Sequence, residues 1–273
     1  MFATAATTAM VNRADTRGRA ISVLLMAESV GLLVGSAAGG SLYLRSSPTS
    51  PFFFEAGCML MACVAVGWFE LPARRASMSP PHGALRKLQR APGFLLMCGS
   101  NAAMAGIQTG VLVFLFPLYL AERAAMSPEI VGYLIATGVA GRLMALWFAG
   151  AIRDQRSRIS MLALGLGAFG LLLGTVSNLR SFVLLTIWSL LLGATGGFVA
   201  GLPTTIIGGR VDSSQHGAAI AWLRMATDAG MLLGPLVMGQ LADALDLTVP
   251  FILAGMISSV LAAACYRHAL TAS

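Results

Sequence analysis

The sequence predicts an all-α polytopic membrane protein with about eight transmembrane helices. Three observations carry this. Hydrophobic residues make up 57% of the 273-residue chain and charged residues 11%, with a mean hydropathy of +0.79. Soluble domains carry about 25% charged residues. The apolar residues gather into runs of about 20 or more, the length a helix needs to cross a bilayer. The basic residues sort to alternate sides of those runs, as membrane orientation requires.

Taken in order, the first span runs from about Ile21 to Leu44 and the second from Phe52 to Leu71. The stretch Pro72–Gly93 follows, with four prolines and Arg74, Arg75, Arg86, Lys87 and Arg90. It is too polar to span. The third span is about Phe94–Ala121 and the fourth Ile130–Ile152. A short turn, Arg153-Asp-Gln-Arg-Ser-Arg158, leads to the fifth, Ile159–Ser177. The sixth is Phe182–Ile207, the seventh Gly217–Ala242 and the eighth Val249–Arg267. With this count, one side collects thirteen Lys and Arg: Arg13, Arg17, Arg19, the five of the linker, Arg153, Arg156, Arg158, Arg210 and Arg267. The other side collects Arg45, Arg123 and Arg180. An error of one span would scramble that split. Both termini and the linker are therefore expected in the cytoplasm. The net charge of +7 belongs to these loops and is not a nucleic-acid signal.

The seventh span organises the rest. Apart from Arg224, Asp228 and, at its end, Gln240, residues Gly217–Leu241 are apolar or small over 25 positions. Ionised side chains at that depth cost several kcal/mol unless they face the bundle interior or each other. At i and i+4 they share a helix face and can pair. Gly230, Gly234, Pro235 and Gly239 follow as a small-residue seam that lets another backbone approach. The stretch Arg17–Leu42 repeats this pattern without a gap at an offset of 199, matching Gly18, Ala20, Ile21, Leu24, Met26, Ala27, Gly31, Leu33, Gly35, Gly40 and Leu42. Thr7-Thr8 and Thr204-Thr205, with the Arg and Asp that follow each, extend the match with a two-residue slip. Such a repeat of about 200 residues points to a transporter built from duplicated halves. It makes Ala3–Val11 the stub of a helix whose fuller copy is Phe182–Ile207.

These motifs resemble the major facilitator superfamily. Gly31-x-x-x-Gly35-Ser36-x-x-Gly39-Gly40 is similar to the family's fifth-helix antiporter motif, with Ser36 where a proline is expected. Gly150-x-x-x-Asp154-x-Arg156-x-Arg158 is similar to the acidic-basic cytoplasmic turn between the eighth and ninth helices. Arg224-x-x-x-Asp228-x-Gly230-x-x-x-Gly234-Pro235 is similar to the eleventh helix of drug-efflux members. The resemblance implies a partial major-facilitator fold lacking the first three to four of twelve helices. Residues 1–72 would be a remnant of the N-terminal bundle, 73–93 a basic cytoplasmic linker, and 94–273 a complete six-helix C-terminal bundle. It also implies a secondary active transporter of a small organic compound, working as a proton-coupled efflux antiporter by alternating access in the plasma or inner membrane. The second reading is a truncated, non-transporting membrane protein or interaction partner. The expected partners are lipid, a small-molecule substrate and protons, without nucleic acid.

Candidate pathway or coupling residues are Arg224, Asp228, Arg142, Glu28, Asn101 and Gln108. The Arg224–Asp228 pair either lines the cavity and changes with the transport cycle or only fixes packing. Glu28 lies two turns into the first span, opposite Thr227 in the repeat. Arg142 is mid-span with no acid on its own helix. Asn101 and Gln108, seven apart, share a face and either line a polar path or bond neighbouring helices. Gly150, Asp154, Arg156 and Arg158 form the expected gating turn; a plain positive-inside loop is the other reading. Gly165-x-Gly167-x-x-Gly170 matches a dinucleotide fingerprint in letters only, since no strand precedes it, and close helix packing explains it. No nucleophile elbow, paired catalytic carboxylates or phosphate loop appears, so no enzyme, catalytic residue or cofactor is expected. Cys58, Cys63, Cys98 and Cys265 lie inside apolar runs without C-x-x-C spacing and read as structural thiols. No metal-ligand spacing exists.

Overall fold

The computed structural model describes residues 22–31, 33–34, 49–68, 93–123, 125–149, 155–179, 181–211 and 215–271. The described residues are almost all helical, without a strand among them. The chain forms two compact units: Ala27–Ser79, and Met1–Met26 together with Pro80–Ser273. Helix α1 (Ser22–Gly31) runs across that boundary. Helix α2 (Ser50–Trp68) belongs to the smaller unit and presents Phe52, Phe53, Leu60 and Met61 outward.

The larger unit holds α3 (Phe94–Glu122), α4 (Pro128–Ala149), α5 (Gln155–Thr175), α6 (Phe182–Ala200), α7 (Leu202–Arg210), α8 (His216–Ala244) and α9 (Val249–Thr271). Five stretches are long and apolar enough to cross a membrane: Phe94–Glu122, Ile130–Phe148, Arg158–Asn178, Phe182–Gly209 and Val249–Leu270. α8 has 29 residues, a length of about 43 Å, and is made more polar by Arg224 and Asp228. The protein is thus an all-α polytopic membrane protein.

The chain enters α3 at Gly93, whose φ of +80° favours a residue without Cβ. The His268 imidazole of α9 fills the space a Cβ would take, with Cδ2 2.6 Å from that position. Within α3, Gln108–Leu115 winds as a π-helix, and the Phe116 N–H donates to the Val111 carbonyl, five residues back. Pro117 follows and has no N–H to offer. The sixth expected span, Phe182–Ile207, is two helices. A turn at Gly201 separates α6 from α7, and Pro203 in the first turn of α7 is the reason: it cannot donate to an uninterrupted ladder.

The six spans associate as three tight pairs: α3 with α8, α4 with α6, and α5 with α9. Each pair is closed by backbone against backbone. A Cβ on Gly110 would lie 2.6 Å from the Gly234 carbonyl oxygen, and one on Gly106 3.0 Å from that of Gly230. A Cβ on Gly193 would meet the Gly138 carbonyl carbon at 2.6 Å, and the Ser189 hydroxyl donates to the Leu134 carbonyl across the same pair at 2.6 Å. In the third pair, a Cβ on Gly170 would lie 2.6 Å from the Gly255 oxygen, and one on Gly255 2.7 Å from that of Gly170. Lipid tails are as apolar as leucine, so close packing and interhelical hydrogen bonds must hold such pairs. Gly165 packs against Val199, so this fingerprint-like run serves helix packing at Gly165 and Gly170.

The pairing has a symmetry. Exchanging the first three spans with the last three in order (α3 with α6, α4 with α8, α5 with α9) converts the α4–α6 pair into α8–α3 and returns α5–α9 to itself. Three spans end on the opposite side of a membrane from where they began, so the repeats are inverted, as in transporter bundles. Two apolar cores close the ends of the unit. One centres on Phe116, Tyr119, Leu173, Trp188 and Phe251, the other on Phe94, Leu162, Leu166, Leu202, Leu223 and Cys265. In the first, the Trp188 indole donates to the Leu172 carbonyl at 2.7 Å and stacks 5.2 Å from Phe116.

These seams give a direct test. Gly193→Val should lower thermal stability of the purified protein by at least the ~1–3 kcal/mol that overpacking costs. Gly132→Val, where a Cβ has no neighbour within 4 Å among the described residues, should leave the unfolding midpoint within a degree or two of the parent.

Candidate functional site

The site is built on the α3–α8 pair. Nε of Arg224 lies 3.1 Å from Oδ1 of Asp228, one helical turn on. Their side chains are 45% and 57% exposed, so within this unit they pair with each other on an open flank of α8. Counted at 1.5 Å per residue, Asp228 is about 18 Å from the start of its helix, near mid-span. One step around α8, Thr227 turns toward α3. The Asn101 amide donates to the Thr227 hydroxyl oxygen and, at 3.5 Å, to the Leu223 carbonyl. The Thr227 hydroxyl in turn donates to Leu223 at 2.9 Å. This chain of bonds fixes the register of α8 on α3. The ion pair is therefore held at a set angle beside the seam of Gly230 and Gly234. Met225, Met231 and Leu232 give the same helix an exposed, apolar and deformable surface.

The structure brings Asn101, Arg224, Asp228, Gly230, Gly234 and Pro235 together on this pair. Gln108, half-buried, opens the π-helical segment of α3. Arg142 stands on the α4–α6 pair: its Nε is buried, and its backbone and stem press on Gly197, where a Cβ would lie 2.7 Å from the Arg142 carbonyl oxygen and 2.8 Å from its Cγ. Glu28 is exposed on α1, in the smaller unit. Arg158 is 7% exposed at the start of α5. A Cβ on Gly31 or Gly239 meets nothing within 4 Å among the described residues. Gly35, Gly39, Gly40, Gly150, Asp154 and the Arg156 side chain lie outside the described residues, as does the stub Ala3–Val11. Among the described residues no cluster of His, Cys, Asp or Glu could hold a metal ion.

Two features go beyond the residues that spacing singles out. Thr227 is invisible as a partner of Asn101 because 126 residues separate them. Asp246, between α8 and α9, divides its carboxylate between two tasks. Oδ1 accepts the Thr248 N–H and hydroxyl, both at 2.8 Å, at the entrance to α9, and Oδ2 accepts from Arg123 at the end of α3. The acidic residue just ahead of an apolar run is an N-cap signal. The two Thr248 hydrogen bonds, and after them the Arg123 guanidinium, hold the Asp246 carboxyl below its usual value.

With this architecture in place, the family follows. The model of the Major Facilitator Superfamily matches residues 1–176 and 98–271, and the chain belongs to that family. Among similar proteins, the multidrug resistance protein MdtG of Escherichia fergusonii is 29% identical over 156 residues, 55% of this chain and 37% of that protein. MdtG of Yersinia enterocolitica is 29% identical over 147 residues, 51% and 34% respectively. MdtG of Escherichia coli O1:K1 / APEC is 36% identical over 107 residues, 38% and 25%. The chain spans about a third of the length of the curated relatives it matches, or less.

The depressed Asp246 gives a pH dependence with a defined sign. Its stabilising contribution is present above the unfolded-state value of about 3.8 and is lost as pH falls through the lower folded value. Asp246→Ala should lower the unfolding midpoint at neutral pH, by roughly a few degrees. That gap should narrow as the pH is taken below about 3.8. A gap that stays constant down to acid pH would show that the carboxylate charge is not the source.

Proposed function

We propose that the chain is part of a secondary active transporter that exports a small organic compound against proton entry, with the Arg224–Asp228 pair as the coupling element. The observation that carries this is an ion pair near mid-span on the open flank of a membrane helix. Charges at that depth are strongly unfavourable against lipid. That flank must therefore face water or protein, as a transport path does. Breaking the pair leaves a lone carboxylate and a lone guanidinium; a proton on Asp228 removes one of those charges, and an anionic or polar group can take the other. A cycle that alternates Asp228 between Arg224 and a proton links proton movement to a change in what Arg224 holds. Arg142, mid-span on the other flanking pair, is placed for a second contact along the path.

Export is supported by the similarity to the MdtG proteins, which are multidrug resistance proteins. The compound class follows from the exposed Met225, Met231 and Leu232 beside the pair, which suit an apolar molecule of variable shape. The distribution of basic residues supports cytoplasmic termini and a cytoplasmic linker, in a plasma or inner membrane. The basic stretch 73–93 then joins the N-terminal helices of 1–72 to the bundle of 94–273, and Gly150–Arg158 forms the gating turn at the cytoplasmic face.

The test is substrate-driven proton flux in proteoliposomes, read with a pH-sensitive dye after adding a fluorescent lipophilic compound that carries a polar group. Asp228→Asn should cut the flux at least tenfold with unchanged incorporation. The charge swap Arg224→Asp with Asp228→Arg should stay equally inactive, because coupling depends on where the carboxylate sits. Recovery of flux in the swapped protein would mean that the pair only fixes packing.

A further inference from the structure

We propose that the Thr109 hydroxyl is the movable donor of a two-helix hinge, shared between the carbonyls of its own helix and the Met231 carbonyl that Pro235 strands on α8. In an α-helix the carbonyl of residue 231 accepts from the N–H of residue 235. Proline has no N–H, and its ring crowds that same carbonyl. Pro235 lies inside α8, so Met231 loses its ordinary intrahelical donor. The hydroxyl facing this carbonyl comes from the other helix: Thr109 Oγ1 is 3.5 Å from the Met231 oxygen. The same hydroxyl lies 2.9 Å from the Ala105 carbonyl and 3.4 Å from that of Gly106. It has one proton to give. Three acceptors surround it, so it serves them in turn.

The surroundings of both partners are built to bend. Thr109 lies in the π-helical segment Gln108–Leu115, where the i→i−4 ladder of α3 is already broken. The next residue, Gly110, packs on the hinge itself: a Cβ there would be 2.6 Å from the Gly234 oxygen and 3.0 Å from the Pro235 nitrogen. The two irregularities thus face each other across the seam. With Thr109 on Met231, the two helices are tied together at the turn that precedes Pro235. With Thr109 on Ala105, the Met231 carbonyl is released, and the part of α8 carrying Arg224 and Asp228 is free to tilt against the part beyond Pro235. Thr109 is thus a positioning residue for the ion pair, whatever compound crosses the membrane.

The experiment is hydrogen–deuterium exchange read by mass spectrometry on the full chain in phosphatidylethanolamine–phosphatidylglycerol nanodiscs. Thr109→Val, which keeps the shape and removes the hydroxyl, should speed exchange in the peptides covering 231–240 at least threefold. Thr109→Ser should restore the parent rate. Pro235→Ala supplies the missing N–H, so adding Thr109→Val to it should change nothing further. The idea is overturned if Thr109→Val leaves exchange unchanged, if serine fails to restore it, or if valine has the same effect with and without Pro235. Should Thr109→Val alone fail to fold, the double variant must fold; its failure would also overturn the proposal.

Discussion

Backbone laid against backbone is the constraint on which the rest of this protein depends. In water, apolar side chains would drive the helices together. In lipid that force is absent, and attraction comes from close contact over many atoms. Glycine at Gly106, Gly110, Gly138, Gly170, Gly193, Gly230, Gly234 and Gly255 removes the side chains that would hold the spans apart. Once carbonyls of one helix lie in the space where Cβ atoms of the next would stand, sliding by even one residue brings a side chain into that space. The seams therefore set register as well as distance.

Fixed register is what gives the polar residues their meaning. Asn101 reaches Thr227 because the seam places them level, and Thr227 precedes Asp228 by one residue. The ion pair is thus presented at an angle decided by glycines several residues away. Ser189 on Leu134 plays the corresponding part on the other flank, beside Gly193 and, two turns on, Gly197 against Arg142. Among the described residues, the Asn101 and Ser189 bonds across these pairs each sit next to a close approach that keeps their geometry.

The spans themselves were legible because a bilayer imposes one length and one polarity. Expected limits of Phe94–Ala121, Gly217–Ala242 and Val249–Arg267 compare with Phe94–Glu122, His216–Ala244 and Val249–Thr271. Arg224 and Asp228 were equally legible, since their spacing alone places them on one face. The partners of α3, α4 and α5 were not, because glycine seams state that a helix packs closely without stating on what. The π-helical turn left no trace, since an apolar run reads the same whichever way it winds. The break at Gly201 was missed because residues on both sides are apolar, although Pro203 carried the signal. Asp246 does not stand out by spacing, although its place ahead of α9 is that of a cap.

The three pairs are alike in construction and unlike in detail. The α5–α9 pair maps onto itself and so has no counterpart in the exchange. The α3–α8 and α4–α6 pairs are images of each other, yet only the first holds a proline opposite a π-helical turn, and only the second buries an arginine stem against a glycine. The matching arms thus differ at their joints: one faces a proline with a movable hydroxyl, the other wedges a cation's stem against a glycine.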